Sequence, residues 1–169
     1  MVGADVPTLC HHPRLRPAGK CGICVVEIDG EYRNSCGSKV AMGQKIKTQT
    51  SEVKSRSAEA FREFMGLANR PPAFPVHTKE MGELIEWSTV AGCDDSSDAI
   101  MRDMSLCVGC TRCVRACSDL QGMDILIASQ GQDGPLVKTD KGLQLVETGC
   151  ISCGQCAYFC PTGAIQEKD

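Results

Sequence analysis

The sequence predicts an α+β chain of small modules, each organised around cysteine rather than around a large apolar core. Three observations carry this. Twelve of the 13 cysteines in the 169 residues fall into three quartets. Short strand-like and helix-like runs alternate between them. Aromatic residues make up only 4% of the chain, too few to anchor cores of ordinary size.

The bulk properties narrow the field further. Net charge is −3 and there is no basic tract, so nothing marks a nucleic-acid footprint. No apolar run approaches the roughly 18 residues a membrane span needs. The opening "MVGADVPTLC" lacks the charged and apolar regions of a secretory signal. The cysteine count is odd. This argues against a disulfide framework and for metal-ligating thiols in a reducing compartment, with the cytoplasm expected.

The first quartet is Cys10, Cys21, Cys24 and Cys36, spaced C-x10-C-x2-C-x11-C. "AGKCGICVVEIDG" reads as a loop entering an apolar strand. Asp29–Gly30 is a hairpin turn, and "EYRNSC" runs back to Cys36. This course can bring four sulfurs to one centre. Spacing alone leaves a [2Fe–2S] centre, zinc and a rubredoxin-like iron open, because the plant-type pattern has about four residues between its first two cysteines. His11 and His12 read as surface residues, since four thiols already fill the ligand set.

"SEVKSRSAEAFREFMGLA" places Val53, Ala60, Phe61, Phe64, Met65 and Ala68 near helical spacing and predicts a helix. "NRPPAFP" breaks it, and "KEMGELIEWSTV" predicts a second helix burying Met81, Leu84, Ile85 and Trp87. Cys93 stands alone as a buried free thiol. Asp94, Asp95 and Asp98 read as an acidic helix cap.

The last third repeats itself. "CVGCTRCVRAC" and "CISCGQCAYFC" both follow C-x2-C-x2-C-x3-C, and Pro161 follows the second. This is the two-cluster ferredoxin spacing, in which the fourth cysteine of each run ligates the other cluster. Cys107, Cys110, Cys113 and Cys160 are therefore assigned to one [4Fe–4S] cube. Cys117, Cys150, Cys153 and Cys156 are assigned to the other. Zinc would want two separated pairs instead. Between the runs, "TRCVRACSDLQ" predicts a short helix, "DILIAS" a strand and "GQDG" a turn. "PLVKTD" and "LQLVE" predict further strands. "GQCAYFC" predicts a helix stopped by Pro161, and "AIQE" a closing strand.

Several stretches carry a resemblance. "PTLCHHPRLRPAGKCGICVVEIDG" is similar to the [2Fe–2S] module of the large iron–sulfur subunit of NADH-quinone oxidoreductase. "DDSSDAIMRDMSLCVGCTRCVRACSDLQGM" and "ETGCISCGQCAYFCPTGAI" resemble the accessory cluster region of iron-only hydrogenases, with the alpha subunits of NAD-dependent formate dehydrogenases as close rivals. The resemblance implies a [2Fe–2S] cluster on Cys10, Cys21, Cys24 and Cys36, and two [4Fe–4S] clusters on the later runs. It implies a truncated β-grasp module over 1–50, a short helical linker over 51–95 and a two-[4Fe–4S] ferredoxin-like domain over 96–169. In that family the β-grasp opens with a hairpin and helix that only nine residues here could supply. The apolar face of "ICVVEI" is therefore expected to lack cover. A further His/Cys cluster of the family is expected to be lost, because Arg70, Phe74, His77 and Leu84 stand in its ligand slots. The implied role is an electron relay between a soluble donor or acceptor, such as a ferredoxin or flavoprotein, and a catalytic subunit, with iron-only hydrogenase expected first. No catalytic residue is identified.

Overall fold

Asp29 and Gly30 both adopt positive φ, 51° and 88°. This is the twist that lets a two-residue turn join antiparallel strands. It joins β1 (Val25–Ile28) to β2 (Glu31–Asn34), with Val25 opposite Asn34 and Ile28 opposite Glu31. The Asp29 carboxylate fixes the other side of the sheet by accepting the Lys45 N–H at 2.9 Å. There β3 (Ile46–Lys47) pairs with β1, and Lys47 Nζ meets Glu27 Oε1 at 2.6 Å across the strands.

The computed structural model describes residues 5–67, 93–128 and 137–168. The chain forms two compact units, Met1–Asn69 and Arg70–Asp169. In the first, helix α1 (Ser51–Leu67) packs on β1. Its Val53 and Phe61 are buried, as are Ile23, Val26 and Ile28 of the strand and its approach. The Ser57 hydroxyl donates to the Ile23 carbonyl at 2.7 Å. The Arg56 guanidinium lies over the Tyr32 ring, 4.1 Å from its centre. The expectation that "ICVVEI" lacks cover is thus corrected. The helix assigned to the linker supplies the cover, because its apolar stripe needs the same partner.

The second unit holds two small sheets. β5 (Ile100–Asp103) lies between β4 (Cys93–Asp94) and β8 (Ile165–Glu167), all antiparallel. β6 (Leu126–Ala128) and β7 (Val137–Thr139) form a second pair. Ile100, Met104, Leu126, Val137, Leu145 and Ile165 join Cys107 and Cys113 in one buried cluster. Helix α2 (Arg112–Arg115) runs on into a wide π-helical turn, Ala116–Leu120, that carries Cys117. Helix α3 (Gln155–Phe159) ends just before Cys160 and Pro161.

Two sequence expectations are corrected here. Leu143–Glu147 is not a strand; its second half is a 3₁₀ turn, Leu145–Glu147. The donors a strand would use are already taken. Leu145 N–H goes to Asp94 Oδ2 at 3.1 Å, and Val146 N–H to Ser96 Oγ at 3.3 Å. Asp94 caps no helix. It sits in β4, and burial alone would raise its pKa. The Ser96 hydroxyl and N–H, the Leu145 N–H and the Arg102 charge hold it below the usual carboxylate range. The second helix expected around Met81 to Trp87, and the slots Arg70, Phe74, His77 and Leu84, lie outside the described residues.

Candidate metal centres

In the first unit the loop before β1 gathers four thiols. Cys10, Cys21 and Cys24 are buried and Cys36 is half-buried. They form two close pairs. The Cys21 thiol is pushed far above the ordinary range, first by its hydrogen bond with the Cys10 thiol and then by burial. Cys36 is pushed up to about 11, first by burial and then by its hydrogen bond with Cys24. Crowded, desolvated thiols of this kind resist ionising unless a cation balances them. Gly22 makes the loop geometry feasible. Its φ is +70°, and a Cβ there would stand 3.1 Å from Ala60 Cβ on α1. His11 and His12 are half-buried, and His12 Nδ1 accepts the Arg14 N–H at 3.2 Å.

In the second unit the two cysteine runs share one backbone trace. The residues flanking Cys110 are Gly109 and Thr111, with φ of 67° and 59°. Those flanking Cys153 are Ser152 and Gly154, with φ of 53° and 70°. Each run thus makes the same two left-handed steps and then enters a helix, α2 or α3. One step in each run falls on a non-glycine residue, at a cost of about 1–2 kcal/mol that the loop must offset. Gly109 N–H also donates to Cys107 Sγ at 3.4 Å.

This trace turns three thiols of each run towards one hollow. The first hollow, about 300 Å³ and partly open, is walled by Cys107, Cys110 and Cys113, with Cys160 and Pro161 from the other run. The second, about 400 Å³, is walled by Cys150, Cys153 and Cys156, with Cys117 from the first run. The electrostatics follow the same grouping. Burial pushes Cys110 up to about 12, and the charges of Cys107 and Cys160 add to this. Burial raises Cys113 as well, with Cys110, Cys107 and Cys160 as neighbours. Burial takes Cys156 up to about 12, with Cys150, Cys153 and Cys117 beside it. Among the described residues no three His, Cys, Asp or Glu side chains converge at the spacing of one bound ion. The thiols line walls instead.

The two hollows differ at the surface. Cys107, Cys110 and Cys113 are buried, whereas Cys153 is exposed and Ile151 beside it is 60% exposed. They also differ in charge. Arg102, on the buried face of β5, is only 6% exposed and lines the second hollow. The sequence reading misses both β5 and this arginine. The available signal is "AIMRD", where Arg102 stands in phase with Ile100.

Comparison with known proteins gives the class first. Residues 1–51 match the model of a 2Fe-2S iron-sulfur cluster binding domain, and residues 106–165 that of a 4Fe-4S dicluster domain. The chain therefore carries iron–sulfur domains of both kinds. Particular relatives follow. A probable oxidoreductase of Bacillus subtilis, YjgC, is 30% identical over 97% of this chain. A putative formate dehydrogenase of Staphylococcus haemolyticus is 27% identical over 96% of it. The chain spans 18% of the length of each. The fold also matches a chain of the NAD+-reducing [NiFe]-hydrogenase in the H2-reduced state. The TM-score is 0.73 at 21% identity, over 97% of this chain and 76% of that one. Among the described residues, no helix is long and apolar enough to cross a membrane.

Proposed function

We propose that the chain is the multi-cluster electron-transfer part of an oxidoreductase of the formate dehydrogenase type. One observation carries the reading. Two hollows are each walled by four thiols, three from one run and one from the other, within a region matching a dicluster domain. The donor set fits the group. Soft thiolates in fours, spread around a hollow, suit an iron–sulfur cube better than a single ion.

Cys107, Cys110, Cys113 and Cys160 would hold one [4Fe–4S] cluster, and Cys117, Cys150, Cys153 and Cys156 the other. Cys10 with Cys21 and Cys24 with Cys36 would hold a [2Fe–2S] cluster, one pair to each iron, on a β-grasp-type sheet. When bound, these groups supply one-electron carriers. The protein's part is to hold the thiols, exclude water and tune the sites. Gly109 N–H donates to a ligand sulfur, and such donation stabilises negative charge at a site. Three thiols of the first set, Cys107, Cys110 and Cys113, are buried. The second set reaches the surface at Cys153 and Ile151, which makes that edge the exchange point with a partner.

The formate dehydrogenase context replaces the iron-only hydrogenase expected first from the motifs. The relatives named as formate dehydrogenases align along 96% of the chain, whereas the hydrogenase matched is a [NiFe] enzyme and that match rests on fold alone. The catalytic partner and the donor remain part of the proposal. The test is anaerobic isolation of the chain with its native partners, followed by formate, NADH or hydrogen. Formate should bleach the visible iron–sulfur absorption. Bleaching by hydrogen and not by formate would overturn the assignment.

A further inference from the structure

The second hollow contains a charge that the ligand set does not explain. Arg102 is among the residues that line it, and the residue is 6% exposed. Alternation along β5 places Arg102 on the same buried face as Ile100, a position that ordinarily takes an apolar side chain. Among the described residues, its Nε and Nη1 have no hydrogen-bond acceptor. Asp94 forms an ion pair with Arg102, but Oδ2 stands 3.8 Å from Nε, beyond hydrogen-bonding range. That carboxylate is already engaged by Ser96 and Leu145. A buried cation with unmet N–H donors is costly unless an anion completes it. The other groups on the hollow's wall able to carry negative charge are Cys117, Cys150, Cys153 and Cys156. Among the described residues, the lining of the first hollow contains no charged side chain, although Arg112 acts on Cys110.

We propose that Arg102 is the built-in counter-charge of the second thiol set, raising the reduction potential of that site alone. The inference rests on reading Cys117, Cys150, Cys153 and Cys156 as a cluster site. Reduction adds one negative charge there, so a fixed, buried cation beside the hollow favours the reduced state. Arg102 is a tuning residue and takes no part in any bond made or broken.

The test is a dithionite titration of the reconstituted full chain followed by electron paramagnetic resonance, in wild type, Arg102→Gln and Arg102→Lys. The couple altered by Cys153→Ser marks the second site. Arg102→Gln should make the second site at least tenfold harder to reduce, about 59 mV for a one-electron couple, with the first site unmoved. Arg102→Lys keeps the charge and loses the fork, so it should shift the same couple by less. If Arg102→Gln gives no loaded protein, Arg102→Lys decides. A smaller fall confined to the second couple supports the proposal. Unchanged potentials, or equal shifts in both couples, overturn it. Wild-type protein without two [4Fe–4S] signals would instead defeat the cluster reading itself.

Discussion

Replacing Gly22 by alanine probes how the helix and the first thiol loop depend on each other. Two penalties act. At φ +70° an L-residue pays about 1–2 kcal/mol relative to glycine. The new Cβ would also stand 3.1 Å from Ala60 Cβ, which is fixed to the helix backbone and cannot swing aside. Either α1 or the loop must shift, and overpacking of this kind costs about 1–3 kcal/mol. The lower entropy of the unfolded chain returns about 0.4–1 kcal/mol. The net loss should be about 3 kcal/mol. Gly19→Ala is the control, since φ is +62° there but nothing lies within 4 Å; it should carry the backbone penalty alone. Ala60→Gly in the Gly22→Ala background should recover the steric part, less about 1 kcal/mol for glycine in a helix. The assay is denaturant unfolding of the reconstituted chain, followed by circular dichroism and by the visible band of the first site. Gly22→Ala and Gly19→Ala of equal stability, or no coupling between Gly22 and Ala60, would refute the packing argument.

Cys117→Ser should weaken the site walled by Cys150, Cys153 and Cys156, and Cys160→Ser the site walled by Cys107, Cys110 and Cys113. Resonance spectra of each variant read this directly, and damage to the variant's own run instead would reverse the assignment. Asp94→Asn removes the carboxylate that ties Ser96, Leu145 and Arg102 together and should destabilise the second unit by about 1–3 kcal/mol at neutral pH. The folded pKa of Asp94 is depressed, so its contribution is full above the unfolded value of about 3.9 and is lost as pH falls through the folded value. The stability gap between wild type and Asp94→Asn should therefore narrow below about pH 4. A gap independent of pH would show that the carboxylate's charge is not what matters.

Legibility in the sequence follows the range of the interactions. The hairpin at Asp29–Gly30, the helix from Ser51 and the α3 stop before Pro161 depend on local turn chemistry and periodicity, and all are readable. The shared trace of the two runs is half readable. Gly109 and Gly154 announce left-handed backbone, whereas Thr111 and Ser152 adopt it with no local signal of their own, each where the other run has glycine. What escapes is long-range. Leu145 forms a turn rather than a strand because Asp94, 51 residues away, takes its N–H. α1 serves as the cover of β1 because Ser57 and Ala60 meet the loop around Gly22 and Ile23, and Phe61 is buried on the same helix. Arg102 is visible as a letter, but only burial with two unmet donors gives it a meaning.

Iron, acid-labile sulfide and zinc content of the anaerobically purified chain, measured together with spin quantitation after reduction, tests the central claim most directly. The account predicts about ten iron and ten sulfide atoms per chain, no stoichiometric zinc, and one [2Fe–2S] and two [4Fe–4S] signals. Stoichiometric zinc without sulfide, or iron without sulfide, would contradict it.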